Sequence, residues 1–288
     1  MEALTLRSDD LEVVVLPWVG ARVHSITAFG EQLTHTPDDL HEHQLAPHHW
    51  GGYHMAPWCN RITPGVYEVA GRELELAANF DDGSAIHGFH VDTPWEPAEG
   101  DTFVAEGGGG DGWPWQYAIA VTYAVAGPVL SVRYLLTNLS DSPMPGGVGF
   151  HPWFRVPSRA RIPSATVFPD NESTPPEPEP VHGRFDLREP TPLAPGVDAC
   201  WPGLDPAVMT LWWDEPGITL DYSGRRADGG SVLAVAAHLP QVGGAAFELQ
   251  THAPAGLRRL LDDEPYPLDL LAPGAALQLQ LEFSFSRA

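Results

Sequence analysis

Lysine is absent from the 288 residues: all 15 basic side chains are arginine, set against 38 acidic ones for a formal charge of −23. With no basic run to neutralise phosphates, nucleic acid and anionic membrane are poor partners for this chain. Cysteine is scarce as well. Cys59 and Cys200 fall in no Cys-x-x-Cys or Cys/His ligand spacing, which removes a disulfide framework and a zinc ribbon and fits a reducing cytoplasm. No run of 18 apolar residues occurs, and the opening MEALTLRSDDLEVVVLPW lacks the basic start and apolar stretch of an export signal. The expectation is a cytoplasmic chain without a membrane span or a removed leader.

What the chain does have is apolar mass. A hydrophobic content of 43% with 10% aromatics is too rich for a disordered polymer. The 29 glycines and 30 prolines are spread along its length, so no ordinary amphipathic helix can be drawn and the text reads as mostly β. Short alternating or continuous apolar runs occur at Leu11 to Leu16, Val66 to Val69, Thr102 to Ala105, Tyr117 to Ala126 and Val129 to Thr137. Others follow at Ile218 to Tyr222, Val232 to Ala237, Ala245 to Thr251 and Leu277 to Ser286. Two hairpins are predicted, one turning at Ala70-Gly71 and one at Gly127-Pro128. The acidic, proline-crowded stretch Pro169 to Pro195 reads as a long surface excursion within one domain spanning 1–288, and Glu106 to Gly112 as a mobile glycine-rich loop. The fold class expected is all-β, a large antiparallel β-sandwich with two broad sheets face to face.

Four polar groups stand in apolar or aromatic surroundings: Arg61 in MAPWCNRI, His87 in AIHGF, His151 in GFHPWF and Glu248 in AAFELQT. Embedded charged or titratable groups need partners, because burying them unpaired costs several kcal/mol. Any one alone reads as a satisfied core group. Together they make an arginine, two imidazoles and a carboxylate, a set suited to holding a hydroxylated ligand and moving protons on it. Trp58, Trp95, Phe150 and Trp153 offer flat walls for sugar C–H faces or, equally, ordinary core filler. The stretch from His35 to His54 is rich in histidine, yet its spacing matches no closed metal site; it reads as a solvated loop leading to the rim of the pocket. Cys59 reads as packing rather than a nucleophile. No metal, nicotinamide or nucleotide fingerprint occurs, so no cofactor is expected.

At these motifs the chain resembles the aldose 1-epimerase (galactose mutarotase) family, as a divergent bacterial member, over almost its whole length. VVVLPWVGARVHSI is similar to that family's opening strand pair. MAPWCNRITPGVYEVAGRELELAANFDDGSAIHGF resembles its Asn-Arg-Ile and His-Gly series in order, GFHPWF its second histidine motif, and FELQTHAPAG its late strand with the catalytic glutamate. The resemblance implies a galactose mutarotase-like supersandwich acting on a monosaccharide, with Glu248 as general base on the anomeric hydroxyl and His151 as general acid on the ring oxygen. It further implies ligand binding by Arg61, His87, Asn60 and Trp153, and by Asp198 in GVDACW, with Asp186, Asp205 and Asp214 open for the aspartate role. Two other readings stand beside mutarotation: a carbohydrate-binding or sensing protein without turnover, and a carbohydrate lyase or hydrolase on the same architecture. Trp58-Cys59, Phe89 and Trp153-Phe154 depart from the family pattern and leave the aldose open among hexose, pentose and sugar phosphate; the last would draw on Arg22, Arg72 or Arg155. Oligomeric state is not legible in the sequence.

Overall fold

The computed structural model describes residues 2–110, 112–169, 175–204 and 207–287. A nine-stranded sheet runs in the order Leu4–Arg7, Leu11–Leu16, Arg22–Ala28, Gly52–Met55, Gly149–Phe154, Gly244–Gln250, Leu233–Leu239, Asp198–Trp201, with Glu31–Gln32 added beside Arg22–Ala28. An eight-stranded sheet runs Glu96–Pro97, Thr102–Gly107, Tyr117–Ala126, Val129–Asn138, Ala276–Arg287, Ile218–Arg226, Ala207–Trp213, Arg159–Arg161. Neighbours in both are antiparallel. The sheets bury their facing sides in one cluster that joins Val13, Phe150, Phe247 and Leu249 to Ile119, Val132, Leu279 and Phe283. This is the expected sandwich.

Both hairpins form where local turn chemistry places them. Gly65–Val69 pairs with Arg72–Leu76 through Ala70 and Gly71, whose φ values of 50° and 77° are the two left-handed residues of a tight hairpin turn. Tyr117–Ala126 pairs with Val129–Asn138 in continuous register across Gly127-Pro128. Two short helices, Glu42–Leu45 and Gly256–Asp262, were not expected; at one and two turns they are too brief to leave a helical period in the text. Glu106 and Gly107 belong to a strand rather than to a loop. The described part of the proline-rich excursion is largely exposed and is anchored at three points: Phe185, Leu187 and Leu193 join the main core, and the Trp201 indole donates to the Phe185 carbonyl at 2.9 Å. Among the described residues no helix is long and apolar enough to cross a membrane.

The outer face of the nine-stranded sheet matters most here. Every residue of Gly149–Phe154 and of Gly244–Gln250 is buried, so these strands are covered on both sides. Alternation decides which side chain goes where. Phe150, Phe247 and Leu249 point to the other sheet, and His151, Trp153, Ala246 and Glu248 point away from it under a roof of loops.

Candidate active site

Antiparallel register brings the distant candidates together. Phe150 lies opposite Leu249 and Trp153 opposite Ala246, which sets His151 across from Glu248 on the outer face. His151 Nε2 is 3.2 Å from Glu248 Oε1, with the two side chains only 7% and 3% exposed. On the other side of His151, Tyr53 is its cross-strand partner and stacks on the imidazole, ring centroids 4.4 Å apart at 21°. One register row thus reads Tyr53, His151, Glu248.

The next row on the same face reads Trp153, Ala246, Ala237, Asp198. Two methyl groups between an indole and a carboxylate leave a trough, part of a cavity of about 80 Å³ that opens to solvent. The Trp153 indole is held upright by donating to the His48 carbonyl at 2.7 Å. Ala237→Leu is therefore expected to fill the trough: ligand binding weakens about tenfold or more while the fold persists, as overpacking beside open space is tolerated better than in a closed core. Equilibrium titration with a panel of small hydroxylated ligands, beside a thermal melt, checks this.

The third wall comes from a crossing of two loops. The short strand Arg61–Ile62 pairs with Ala85–Ile86, and just beyond it the Asn60 backbone N–H donates to His87 Nδ1 at 3.1 Å while the His87 N–H donates to the Asn60 carbonyl at 3.2 Å. An Nδ1 that accepts leaves the His87 proton on Nε2, so this imidazole enters the site as a donor. Both residues are left-handed, with φ of 56° and 58°. Asn60 tolerates this well, and its Oδ1 accepts the Arg61 N–H at 2.8 Å. Arg61 donates through Nε to Asp82 at 2.7 Å, and its guanidinium lies 6.0 Å from the Phe80 ring centre. These contacts aim a pre-oriented cation into the cavity.

All seven site residues expected from the sequence line this one cavity: Asn60, Arg61, His87, His151, Trp153, Asp198 and Glu248. Of the competing aspartates, Asp186 pairs with Arg188 and Asp214 with Arg159, both at the surface; Asp205 lies outside the described residues. Three of the four proposed aromatic walls are elsewhere. Trp58 stacks on Trp113, Trp95 donates to the His90 carbonyl, and Phe150 meets Phe283 between the sheets. Phe150 fails by strand parity, being one residue from His151 and so on the opposite face. Arg22, Arg72 and Arg155 do not line the cavity: Arg72 pairs with Asp141, Arg155 Nη1 donates to the Gln32 carbonyl, and Arg22 is fully buried. The histidine-rich stretch is not solvated throughout either. His43 and His54 are fully buried, His54 with its Nδ1 2.7 Å from the Tyr134 hydroxyl, while His48 and His49 do reach the cavity. Sequence reading missed His48, Tyr53 and Phe80 as wall residues. Tyr53 was discoverable only through its register with His151.

Burial dominates the electrostatics. It pushes the Glu248 carboxyl well above the ordinary carboxylate range, reinforced by the Asp198 charge and opposed by Arg61. Burial also pushes His151 well below the usual imidazole value, with His48, Arg61 and Arg22 adding to it. Both shifts disfavour the charged forms, the Glu248 carboxylate and the His151 imidazolium, because each is buried. Glu248 Oε2 and His151 Nδ1 are buried without hydrogen-bond partners, as expected of groups whose partner is a ligand. Cys59 is fully buried and its thiol is pushed up by burial and by Glu248, which suits packing and not nucleophilic attack.

Comparison with known proteins is consistent across sequence and structure. The family model for aldose 1-epimerase matches residues 2–227. Human galactose mutarotase is 26% identical over 333 residues, spanning 100% of this chain and 95% of that protein. A galactose mutarotase-like protein from Clostridium acetobutylicum shares the fold with a TM-score of 0.84 at 16% identity, covering 99% of this chain and 95% of the other. Galactose 1-epimerase from Lactobacillus acidophilus NCFM shares it at 0.76 and 17%, covering 99% and 94%.

Proposed function

The chain belongs to the aldose 1-epimerase family, and on that premise we propose that it is a mutarotase, interconverting the α and β anomers of a free aldose by ring opening and reclosure. The observation that carries this reading is the buried His151–Glu248 pair at 3.2 Å inside a cavity that Asn60, Arg61, His87 and Asp198 also line. Anomer exchange requires that O1–H lose a proton as the ring oxygen gains one. The C1–O5 bond then opens, the aldehyde turns about C1–C2, and the ring closes on its other face. One base and one acid suffice.

Glu248 takes the O1 proton and His151 delivers one to the ring oxygen. The reactive form carries the proton on His151 Nε2 and not on Glu248, and the roles exchange for the opposite direction by microscopic reversibility. Taken together, the two transfers leave the net charge of the pair unchanged, so a dry site does not penalise them. Arg61, the His87 Nε2–H, Asn60 and Asp198 hold the remaining hydroxyls, and Trp153 lies along the apolar face of the ring. If each transfer contributes about 10² to 10⁴-fold, the pair supplies roughly 10⁴ to 10⁸ before positioning is counted.

The test is saturation-transfer NMR of anomer exchange over a panel of aldoses and their 6-phosphates, run beside equilibrium binding. Exchange accelerated at catalytic protein concentrations is the expected result. Binding without exchange would replace this reading with a sugar sensor, and release of reducing ends from an oligosaccharide would replace it with a hydrolase.

A further inference from the structure

Beneath Tyr53, on the side away from the cavity, Arg22 is 0% exposed. Among the described residues it forms no ion pair with a carboxylate, and its Nε has no hydrogen-bond partner. A buried cation held only by neutral acceptors is costly, and the acceptors here are specific. Nη2 donates to the carbonyls of Pro47 at 2.5 Å and Val91 at 3.0 Å, and Nη1 donates to His43 Nδ1 at 3.1 Å. Its guanidinium carbon lies 5.6 Å from the Tyr53 ring centre. Pro47 precedes His48, whose ring lines the cavity and whose carbonyl orients Trp153. Val91 ends the short segment that begins at His87, and Tyr53 stacks on His151. One planar fork therefore joins the segments behind three walls of the site.

We infer that Arg22 is a positioning residue of the His151–Glu248 pair: it locks the His48 and His87 segments and the Tyr53 ring against His151 and sets a fixed positive charge behind the imidazole. The inference rests on the pocket being the anomer-exchange site. Around Arg22 stand His43, Asp92, Tyr53 and Tyr123, with His24 beyond His43 at 2.9 Å. Glu248, Tyr53, His87, His48 and Arg61 face His151. Contacts of 5.6 Å and 4.4 Å through the Tyr53 ring put the guanidinium within about 10 Å of the imidazole, close enough in a protein interior to move a titration by about one pH unit.

Charge and shape can be separated by two variants. Arg22→Gln removes the charge, so both limbs of the kcat/KM pH profile are expected to move about one unit toward alkaline pH. Arg22→Lys keeps the charge but loses the planar fork, so the limbs stay while KM rises about tenfold. Limbs unmoved in Arg22→Gln, or moved equally in both variants, would overturn the inference; if Arg22→Gln does not fold, an unchanged KM in Arg22→Lys does so alone. Should the wild-type protein show no exchange, the proposed function fails by itself. The His151 imidazole NMR titration and the aldose Kd in the same variants then decide the role of Arg22 independently: an upward His151 midpoint only in Arg22→Gln supports it, and identical midpoints refute it.

Discussion

Glu248→Gln is expected to lower anomer exchange about 10² to 10⁴-fold, the range spanned by loss of one general acid–base group. The amide is nearly isosteric and keeps a polar atom toward His151, so the cavity and the fold survive. Polarimetry on an α-aldose reads the rate, and aldose binding should change little. Stability should move in the opposite direction. The folded-state carboxyl titrates above its unfolded value because burial and Asp198 disfavour the anion. Its contribution is complete below the unfolded value near 4.5 and is lost as pH rises toward the folded one. The Tm difference between variant and wild type should therefore grow in favour of glutamine as pH rises above about 4.5. His151→Asn is expected to match the rate loss, and the double variant to be scarcely worse than either single one, because the two groups act as a unit. A Glu248→Gln protein with more than a tenth of wild-type exchange would move the base elsewhere.

Gly88→Ala should be the most damaging small substitution. Gly88 has φ of 77°, and a Cβ built on it would lie 1.7 Å from the Ala56 carbonyl oxygen, to which no flexible side chain can yield. The loop carrying His87 crosses the chain before Asn60 at this contact, with Ala56 and Gly88 bridged. Left-handed strain and the backbone collision together should cost about 3 kcal/mol or more. Chemical denaturation reads the loss, and KM for the aldose should rise because His87 and Arg61 lose their mutual alignment. Stability within about 0.5 kcal/mol of wild type, the range of an ordinary surface change, would show that the crossing can open without cost.

Much of the site was visible as chemistry before it was visible as geometry. Arg61, His87, His151 and Glu248 stand out because each is a polar group in text that otherwise buries, and the strands carrying His151 and Glu248 are indeed covered on both faces. The same logic did not decide between wall and core at Phe150 and Trp58, since an aromatic beside a site residue is equally expected in a core. At Phe150 a shift of one residue along a strand reverses the face. The histidine-rich stretch misled for a related reason. His43 and His54 are buried against specific partners, Arg22 and Tyr134, and composition alone carries no information about partners so distant in the chain.

Local chemistry by itself determined the β character, both hairpins with their turns, and the residue types available for proton transfer, because turn preference and strand alternation act over a few neighbouring residues. Only the tertiary structure decided that His151 faces Glu248 at 3.2 Å, that Asp198 and not Asp186 or Asp214 reaches the cavity, and that Ala237 and Ala246 open the trough between Trp153 and Asp198. Each of these follows from the pairing register of strands remote in sequence, and that register is set by how the whole apolar set of two sheets packs at once.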